Sequence, residues 1–299
     1  MPQLSNKTLI TIAGPTASGK TALAIELAKK WNTVIISADA RQFYTEMSIG
    51  TAKPSPEELA AVPHYFINNL SVQQPYDVGK YAAEVLELLD TLFQQHNNII
   101  LCGGSGLFIK AVTDGLDDLP ETLPEIREQV QLAYEQNGLL WLQQTIQSKD
   151  PDYFQVVDIN NPKRLLRALE VITQTGNTLS SYHKKVQQPR YFSNIKICLD
   201  LDRKNLYERI NERVNIMIKN GLADEVKTLI PFRNLNALQT VGYTEMFEYF
   251  DSKITLQRAI ELIQQHTRNY AKRQLTWFRR DPSFIWCKPE LSEIEKHCF

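Results

Sequence analysis

Residues 8–21 read T-L-I-T-I-A-G-P-T-A-S-G-K-T: an apolar, β-rich run, a loop bounded by Gly14 and Gly19, and the opening of an alanine- and leucine-rich segment. This is G-x-x-x-x-G-K-[ST] in the strand, loop and helix setting that gives the pattern its meaning. Glycines at 14 and 19 permit backbone angles and approaches that a β-carbon blocks, so loop N–H groups can turn inward around an anion. A helix beginning at Gly19 or Lys20 aims its unsatisfied N–H groups at the same point. Gly14, Pro15, Thr16, Ala17, Ser18, Gly19, Lys20 and Thr21 therefore make a candidate polyphosphate cradle. Lys20 supplies a point charge, and the Thr21 hydroxyl is the candidate ligand for Mg²⁺. Loops of this kind serve ATP-binding and other nucleotide-binding proteins, so the motif names a phosphate site and not a reaction.

Working outward, the first helix should run to about Trp31, and a short buried strand over 34–37 should place Asp39 at a strand's carboxyl end. In doubly wound α/β folds ligands bind along that edge. A carboxylate there is open to three uses: metal ligand, general base or helix cap. The loop I-G-T-A-K-P (49–54) reads as irregular structure near the site, with a strand over 64–68 beyond it, where His64 fits a structural hydrogen bond. A periodic helix over 77–95 presents Tyr81, Val85, Leu88, Leu89 and Leu92 on one face. A buried strand over 98–102 then leads into G-G-S-G-L-F, whose turn offers the Ser105 hydroxyl at the same edge.

From residue 117 to 190 strand runs give way to helices expected over 124–136, 139–147 and 162–175, the last with Asn161 as cap and Pro162 in its first turn. Lys163, Arg164 and Arg167 fall along one helix edge, with Lys184, Lys185 and Arg190 soon after. Strand character returns over 195–201. Asp202 then opens a long helix with Arg209 and Arg213 on one face, able to lean toward the phosphate loop if that strand rejoins the sheet. The last helix is expected over 255–280. The fold so predicted is α/β: a P-loop NTPase-like core with a parallel sheet flanked by helices (1–116 and 191–299) and a mostly helical insertion domain (117–190).

Composition bounds the function. Thirty-three Lys and Arg stand against 34 Asp and Glu, a net charge of −1, so no global attraction to nucleic acid is expected. The charge is polarised instead. Residues 253–281 hold seven bases against two acids, interleaved with Tyr270, Trp277 and Phe278, while residues 77–125 hold nine acids against two lysines. The first composition suits phosphate neutralisation with base stacking, and equally suits a core helix. Cys102, Cys198, Cys287 and Cys298 lack zinc or disulfide spacing and read as reduced thiols of a cytoplasmic protein, Cys102 buried in a strand. No signal peptide and no membrane span is expected.

Together G-P-T-A-S-G-K-T (14–21), D-A-R-Q-F-Y (39–44), I-G-T-A-K-P (49–54), G-G-S-G-L-F (103–108), N-P-K-R-L-L-R-A-L-E (161–170), V-G-Y-T-E (241–245) and T-R-N-Y-A-K-R-Q-L-T-W-F-R (267–279) resemble the tRNA dimethylallyltransferases, from about Leu9 to Arg280. The resemblance implies transfer of a dimethylallyl group from dimethylallyl diphosphate to the exocyclic amine of the adenosine at tRNA position 37, next to the anticodon, with loss of diphosphate. It implies Asp39 as general base, Lys20, Ser105 and Arg213 as further catalytic residues, and Arg213 ahead of Arg209 as diphosphate clamp. It assigns tRNA contacts to Asp39, Ala40, Arg41, Gln42, Ser105 and Arg127, and to the edge Lys163, Arg164, Leu165, Leu166 and Arg167. The target base has to be flipped out to enter the pocket. A cytoplasmic, Mg²⁺-dependent monomer is implied. Two departures stand out: the family usually has Asp-Ser where this chain has Asp39-Ala40, and Thr and Tyr where Ser105 and Phe108 stand. Rival readings are an isopentenyltransferase acting on free adenine nucleotides, a P-loop nucleotide kinase, and a non-enzymatic RNA-binding protein.

Overall fold

The computed structural model describes residues 7–183 and 188–298. The stretch 1–6, part of the signal-peptide reading, and the basic pair Lys184 and Lys185 lie outside the described residues. The chain divides into two units, Met1–Asp114 with Pro189–Phe299 and Gly115–Gln188.

In the first unit β1 (Thr8–Ala13) leads through the glycine loop into α1 (Lys20–Trp31), followed by β2 (Ile35–Ser37), α2 (Pro56–Ala61), β3 (His64–Tyr65), α3 (Val78–Leu92), β4 (Asn98–Gly103) and α4 (Gly106–Thr113). β1 and β4 are apolar along nearly their whole length because helices cover both faces of a parallel sheet. The expected strand at 64–68 is shorter: after Tyr65 the chain enters left-handed backbone at Phe66 and Asn68, which ends pairing. α3 is capped by the Asp77 carboxylate, which accepts from Lys80 N–H, and buries Tyr81, Val85, Leu89 and Leu92.

The second unit holds α5 (Pro124–Lys149), α6 (Pro151–Val156), α7 (Pro162–Thr175) and α8 (Leu179–Tyr182). α5 joins the two expected helices across a kink at Gly138, where φ is 76°. α6 and α8 are too short to show a helical period and escaped the sequence reading. In α7, Leu165, Ala168, Leu169 and Ile172 repeat at helical spacing and pack with Leu142 and Ile146 of α5. Asn161 stands at the cap position, but its side chain makes no capping bond; the fixed φ of Pro162 suffices to start the turn.

Back in the first unit come β5 (Ser193–Leu199), α9 (Arg203–Lys219), α10 (Leu222–Thr228), α11 (Tyr243–Phe250), α12 (Leu256–Arg279), β6 (Phe284–Cys287) and α13 (Leu291–Cys298). The expectation that α12 is the last helix is corrected. F-I-W-C is a four-residue strand on the sheet's edge, too brief for a periodicity, and α13 covers it by packing Ile294 into the core. The six strands are parallel in the order β3-β2-β4-β1-β5-β6. β4 is thus inserted between β1 and β2. The carboxyl ends of β1, β4 and β2 stand side by side, bringing the glycine loop, the G-G-S-G turn and Asp39 to one edge. The main core sets Ile10, Ile12, Ile100 and Ile197 of the sheet against Leu23 and Leu27 of α1. A second cluster gathers Met47, Leu222, Val226, Tyr243 and Met246.

Candidate active site

The glycine loop takes the shape its residues permit. Gly19 lies in left-handed backbone at φ 88°, and Ala17, unusually for a residue with a side chain, at φ 63°. The Ser18 N–H donates to the Pro15 carbonyl at 3.2 Å, and Lys20 Nζ donates to the same oxygen at 3.2 Å. The lysine is therefore held over the loop, and removal from water lowers its pKa, with Cys102 and Asp39 opposing that shift. Lys20, Thr16, Thr21, Asp39 and Arg213 line one cleft, together with apolar Ile35, Ala52, Pro54 and Ile67.

Asp39 follows β2. Its Oδ1 accepts the Arg41 N–H at 3.0 Å, so the carboxylate closes a turn and no helix follows it. The helix-cap reading falls away on that ground. The turn is tied to the end of β4: Ala38 N–H donates to Cys102 O at 2.8 Å, Ser105 N–H to Ala38 O at 3.2 Å and Ala40 N–H to Ser105 Oγ at 3.0 Å. Glycine is required at 103, since a β-carbon there would sit 2.1 Å from the Ala38 carbonyl oxygen. Ser105, read as catalytic, has its hydroxyl oxygen accepting the Ala40 N–H at 3.0 Å, with Tyr270 beside it; its observed work is to hold the Asp39 turn. Phe108 packs on Tyr81 and Phe43 at centroid distances of 5.1 and 5.7 Å.

Arg213 comes from α9, which Asp202 starts by accepting from the N–H groups of Lys204 and Asn205. Its guanidinium lines the cleft, and desolvation lowers its pKa against the pull of Asp39. Arg209, one turn earlier, is exposed and reaches the loop, with Nη1 3.7 Å from the place a β-carbon on Gly19 would occupy. His64 also lines the cleft. Its Nδ1 is 2.8 Å from the Val62 carbonyl, which makes Nδ1 the protonated nitrogen, and burial pushes its pKa down. That is the structural bond expected of it, while Nε2 is buried without a partner.

Two residues that hold the loops of the cleft, Glu225 and Gln274, were not singled out in the sequence. Glu225 receives the N–H groups of Ser48, Ile49 and Gly50 at 2.8, 2.7 and 3.0 Å and the Tyr243 hydroxyl at 2.8 Å. A methyl on Gly50 would meet the Tyr243 ring at 2.6 Å, so V-G-Y-T-E and I-G-T-A-K-P are halves of one contact. Gln274 bridges Thr16 N–H and the Gly104 carbonyl, both at 2.9 Å. Motifs stand out by their charged and nucleophilic residues, and nothing in spacing alone pairs residues 170 or more positions apart. Lys53 donates to the Tyr44 carbonyl and, at 2.6 Å, to Asn68 Oδ1; burial brings its pKa down to about 8.

The residues assigned to tRNA are not equivalent. Lys163, Arg164 and Arg127 are exposed. Leu165 is corrected: it is 0% exposed and belongs to the core of its unit, because it falls on the buried stripe of α7. Arg167 is held within the unit by the Pro120 carbonyl at 2.9 Å, the Thr122 hydroxyl and Glu170, and Leu166 is partly buried. Gln42 is buried, its carboxamide donating to Thr51 O and Ala52 O at 3.3 Å and accepting from Ser37 Oγ at 3.3 Å. Ala40 and Arg41 are half-buried beside Asp39. On α12, Phe278 is core at 0% exposure, whereas Tyr270 remains partly exposed with the Arg273 guanidinium 5.7 Å over its ring.

Among the described residues no group of three or more His, Cys, Asp or Glu could hold a metal, and no helix is long and apolar enough to cross a membrane. The family model described as IPP transferase matches residues 42–281. A tRNA dimethylallyltransferase of Christiangramia forsetii is 48% identical over 97% of this chain and 96% of its own length; that of Cytophaga hutchinsonii is 46% identical over 97% and 95%. Among solved structures, a tRNA delta(2)-isopentenylpyrophosphate transferase from Staphylococcus epidermidis superposes with a TM-score of 0.69 at 34% identity, covering 97% of both chains. A tRNA isopentenylpyrophosphate transferase from Bacillus halodurans does so with a TM-score of 0.68 at 34% identity, over 94% of this chain and 90% of that one. With a phosphate loop, a carboxylate and an arginine on one cleft and likeness at this level over nearly its whole length, the chain belongs to the IPP transferase family.

Proposed function

We propose that this chain moves a dimethylallyl group from dimethylallyl diphosphate to the exocyclic amine of the adenosine next to the anticodon, at tRNA position 37. One observation carries the reading: Lys20, Thr21 and Arg213 face the same cleft as Asp39, so a site for a departing diphosphate and a site for an incoming amine are one space. In the transfer the allylic C–O bond to the diphosphate breaks, a C–N bond to the amine forms, and the amine proton passes to the Asp39 carboxylate. Negative charge grows on the diphosphate as it leaves. Lys20 and Arg213, both lining the cleft, would meet that charge, which is how fixed donors lower such a barrier. The apolar wall of Ile35, Ala52, Pro54 and Ile67 suits a hydrocarbon tail and keeps water from competing with the amine.

Magnesium fits these residues as a substrate-borne ion. The Thr21 hydroxyl and the diphosphate offer the hard oxygen ligands Mg²⁺ takes, and it commonly binds through few protein groups plus phosphates. When bound, it offsets charge on the leaving group. Exposed Lys163, Arg164 and Arg127 are the bases on the helical unit suited to tRNA phosphates. A monomer working in the cytoplasm completes the reading. The test is incubation of the purified protein with dimethylallyl diphosphate, Mg²⁺ and unmodified tRNA, followed by nucleoside mass analysis and measurement of released diphosphate. Modified tRNA adenosine is expected. Prenylated AMP, ADP or ATP with unchanged tRNA would point to the free-nucleotide enzyme, and phosphoryl transfer from ATP to a kinase.

A further inference from the structure

Tyr270, Gln274 and Trp277 stand at i, i+4 and i+7 on α12 and so share one face of the helix. Each touches the loops of the cleft and none is needed by the transfer chemistry itself. Gln274 is 6% exposed, with Oε1 accepting from Thr16 N–H and Nε2 donating to the Gly104 carbonyl, both at 2.9 Å. One turn earlier Tyr270 lies beside Ser105, whose Oγ holds the Ala40 N–H at 3.0 Å. One turn later Trp277 occupies the space a side chain on Gly106 would need, its Cδ1 lying 2.1 Å from that β-carbon position. One helix face therefore grips the phosphate loop, the G-G-S-G turn and, through Ser105, the turn carrying Asp39.

We infer that Gln274 is a positioning residue for group transfer: its carboxamide fixes the distance between the phosphate loop and the Gly104–Ser105 turn on which Asp39 depends. This rests on the proposed function. The side chain is suited to the task by chemistry, since a carboxamide accepts from one buried amide and donates to one buried carbonyl in a single fixed protonation state. Glutamate keeps the acceptor and loses the donor, while methionine fills the space and loses both. Reacting atoms have to approach within about 3–3.5 Å, and a displacement of about 1 Å costs on the order of 10²-fold in rate. A strut between the leaving-group site and the base acts on that distance without touching substrate.

The test compares wild type, Q274E and Q274M in steady-state transfer, together with calorimetric titration of inorganic pyrophosphate. Dimethylallylation of tRNA by the wild type tests the proposed function by itself; pyrophosphate affinity judges Gln274 whether or not that succeeds. Expected for both variants is a fall of about 10- to 100-fold in kcat/KM for the donor, with pyrophosphate binding weakened and KM for tRNA within about two-fold. A merely structural role would shrink the active fraction and scale all rates together at unchanged KM. Folded variants that keep donor kcat/KM and pyrophosphate affinity within two-fold overturn the inference. Should neither fold, Gly104→Ala decides. Its new methyl lies 2.3 Å from Gln274 Nε2 and has to push the carboxamide aside while the Gln274 side chain itself is kept, so it should reproduce the loss in donor kcat/KM and pyrophosphate affinity. A folded Gly104→Ala protein within two-fold of wild type on both refutes the strut.

Discussion

Replacing Asp39 separates the base from the turn that carries it. The carboxylate Oδ1 accepts the Arg41 N–H at 3.0 Å. Asparagine retains that acceptor and cannot take a proton; alanine loses both. The turn bond runs from a backbone amide to a carboxylate at a partly buried site, contributing about 1.5–3 kcal/mol, and the other ties of the turn, Ala38 to Cys102 and Ala40 to Ser105, survive either change. A general base contributes about 10²- to 10⁴-fold, or roughly 2.7–5.4 kcal/mol at 1.36 kcal/mol per tenfold. The chemical term thus exceeds the structural one. Asp39→Asn and Asp39→Ala should both lose about 10²- to 10⁴-fold in single-turnover transfer, differ from each other by no more than about tenfold, and bind tRNA within about threefold of wild type. The assay is rapid-quench turnover of excess enzyme with labelled donor and unmodified tRNA, with tRNA affinity measured separately. An Asn variant within threefold of wild type, or tRNA affinity falling in step with turnover, would refute the assignment.

Arg213→Ala removes a guanidinium from the cleft wall and should lower kcat by about 10²- to 10³-fold while weakening pyrophosphate; an equal loss in tRNA affinity alone would move Arg213 to the acceptor side. Gly50→Ala drives a methyl to 2.6 Å from the ring of Tyr243, which is fully buried and tied to Glu225, so it should destabilise the first unit by about 1–3 kcal/mol. An unchanged melting temperature would show that the contact yields freely. Lys53 gives a pH prediction. Burial lowers its pKa from 10.5 to about 8, so between those values the native chain has released a proton that the unfolded chain still holds. The unfolded state binds more protons, and stability should rise with pH through that interval relative to Lys53→Met. Denaturant midpoints of the two proteins that run parallel from pH 7.5 to 10.5 would contradict it.

What was legible in the sequence is what local chemistry dictates. Gly19 and Lys20 announce the phosphate loop because a turn of that shape has few alternatives, and the apolar runs of β1 and β4 announce a sheet covered on both faces. Asp39 was placed at a carboxyl edge for the same reason. The role of its turn was not legible, because that depends on strand order: only with β4 between β1 and β2 does the Ser105 hydroxyl reach the Ala40 amide. The brief strand Phe284–Cys287 and the buried Leu165 were misjudged for related causes. Four residues carry too little period to declare a strand, and a motif quoted as N-P-K-R-L-L-R does not say which of its leucines faces inward.

The basic, aromatic segment of α12 shows most clearly how composition misleads. Seven bases with Tyr270, Trp277 and Phe278 read as a surface for nucleic acid, yet the helix has two faces with different duties. Phe278 and Ala271 lie in the core, Gln274 and Trp277 face the cleft loops, and Tyr270 lies beside Ser105 while exposing part of its side chain. If the outward bases bind tRNA, binding pulls on the helix that holds the phosphate loop at Thr16. A tRNA anticodon stem-loop should then tighten pyrophosphate binding in the wild type, and this coupling should vanish in Q274M while both ligands still bind. By linkage the two affinities change by the same factor in both directions, so a wild type whose pyrophosphate affinity is indifferent to tRNA would sever helix face from loop and leave Gln274 a static strut.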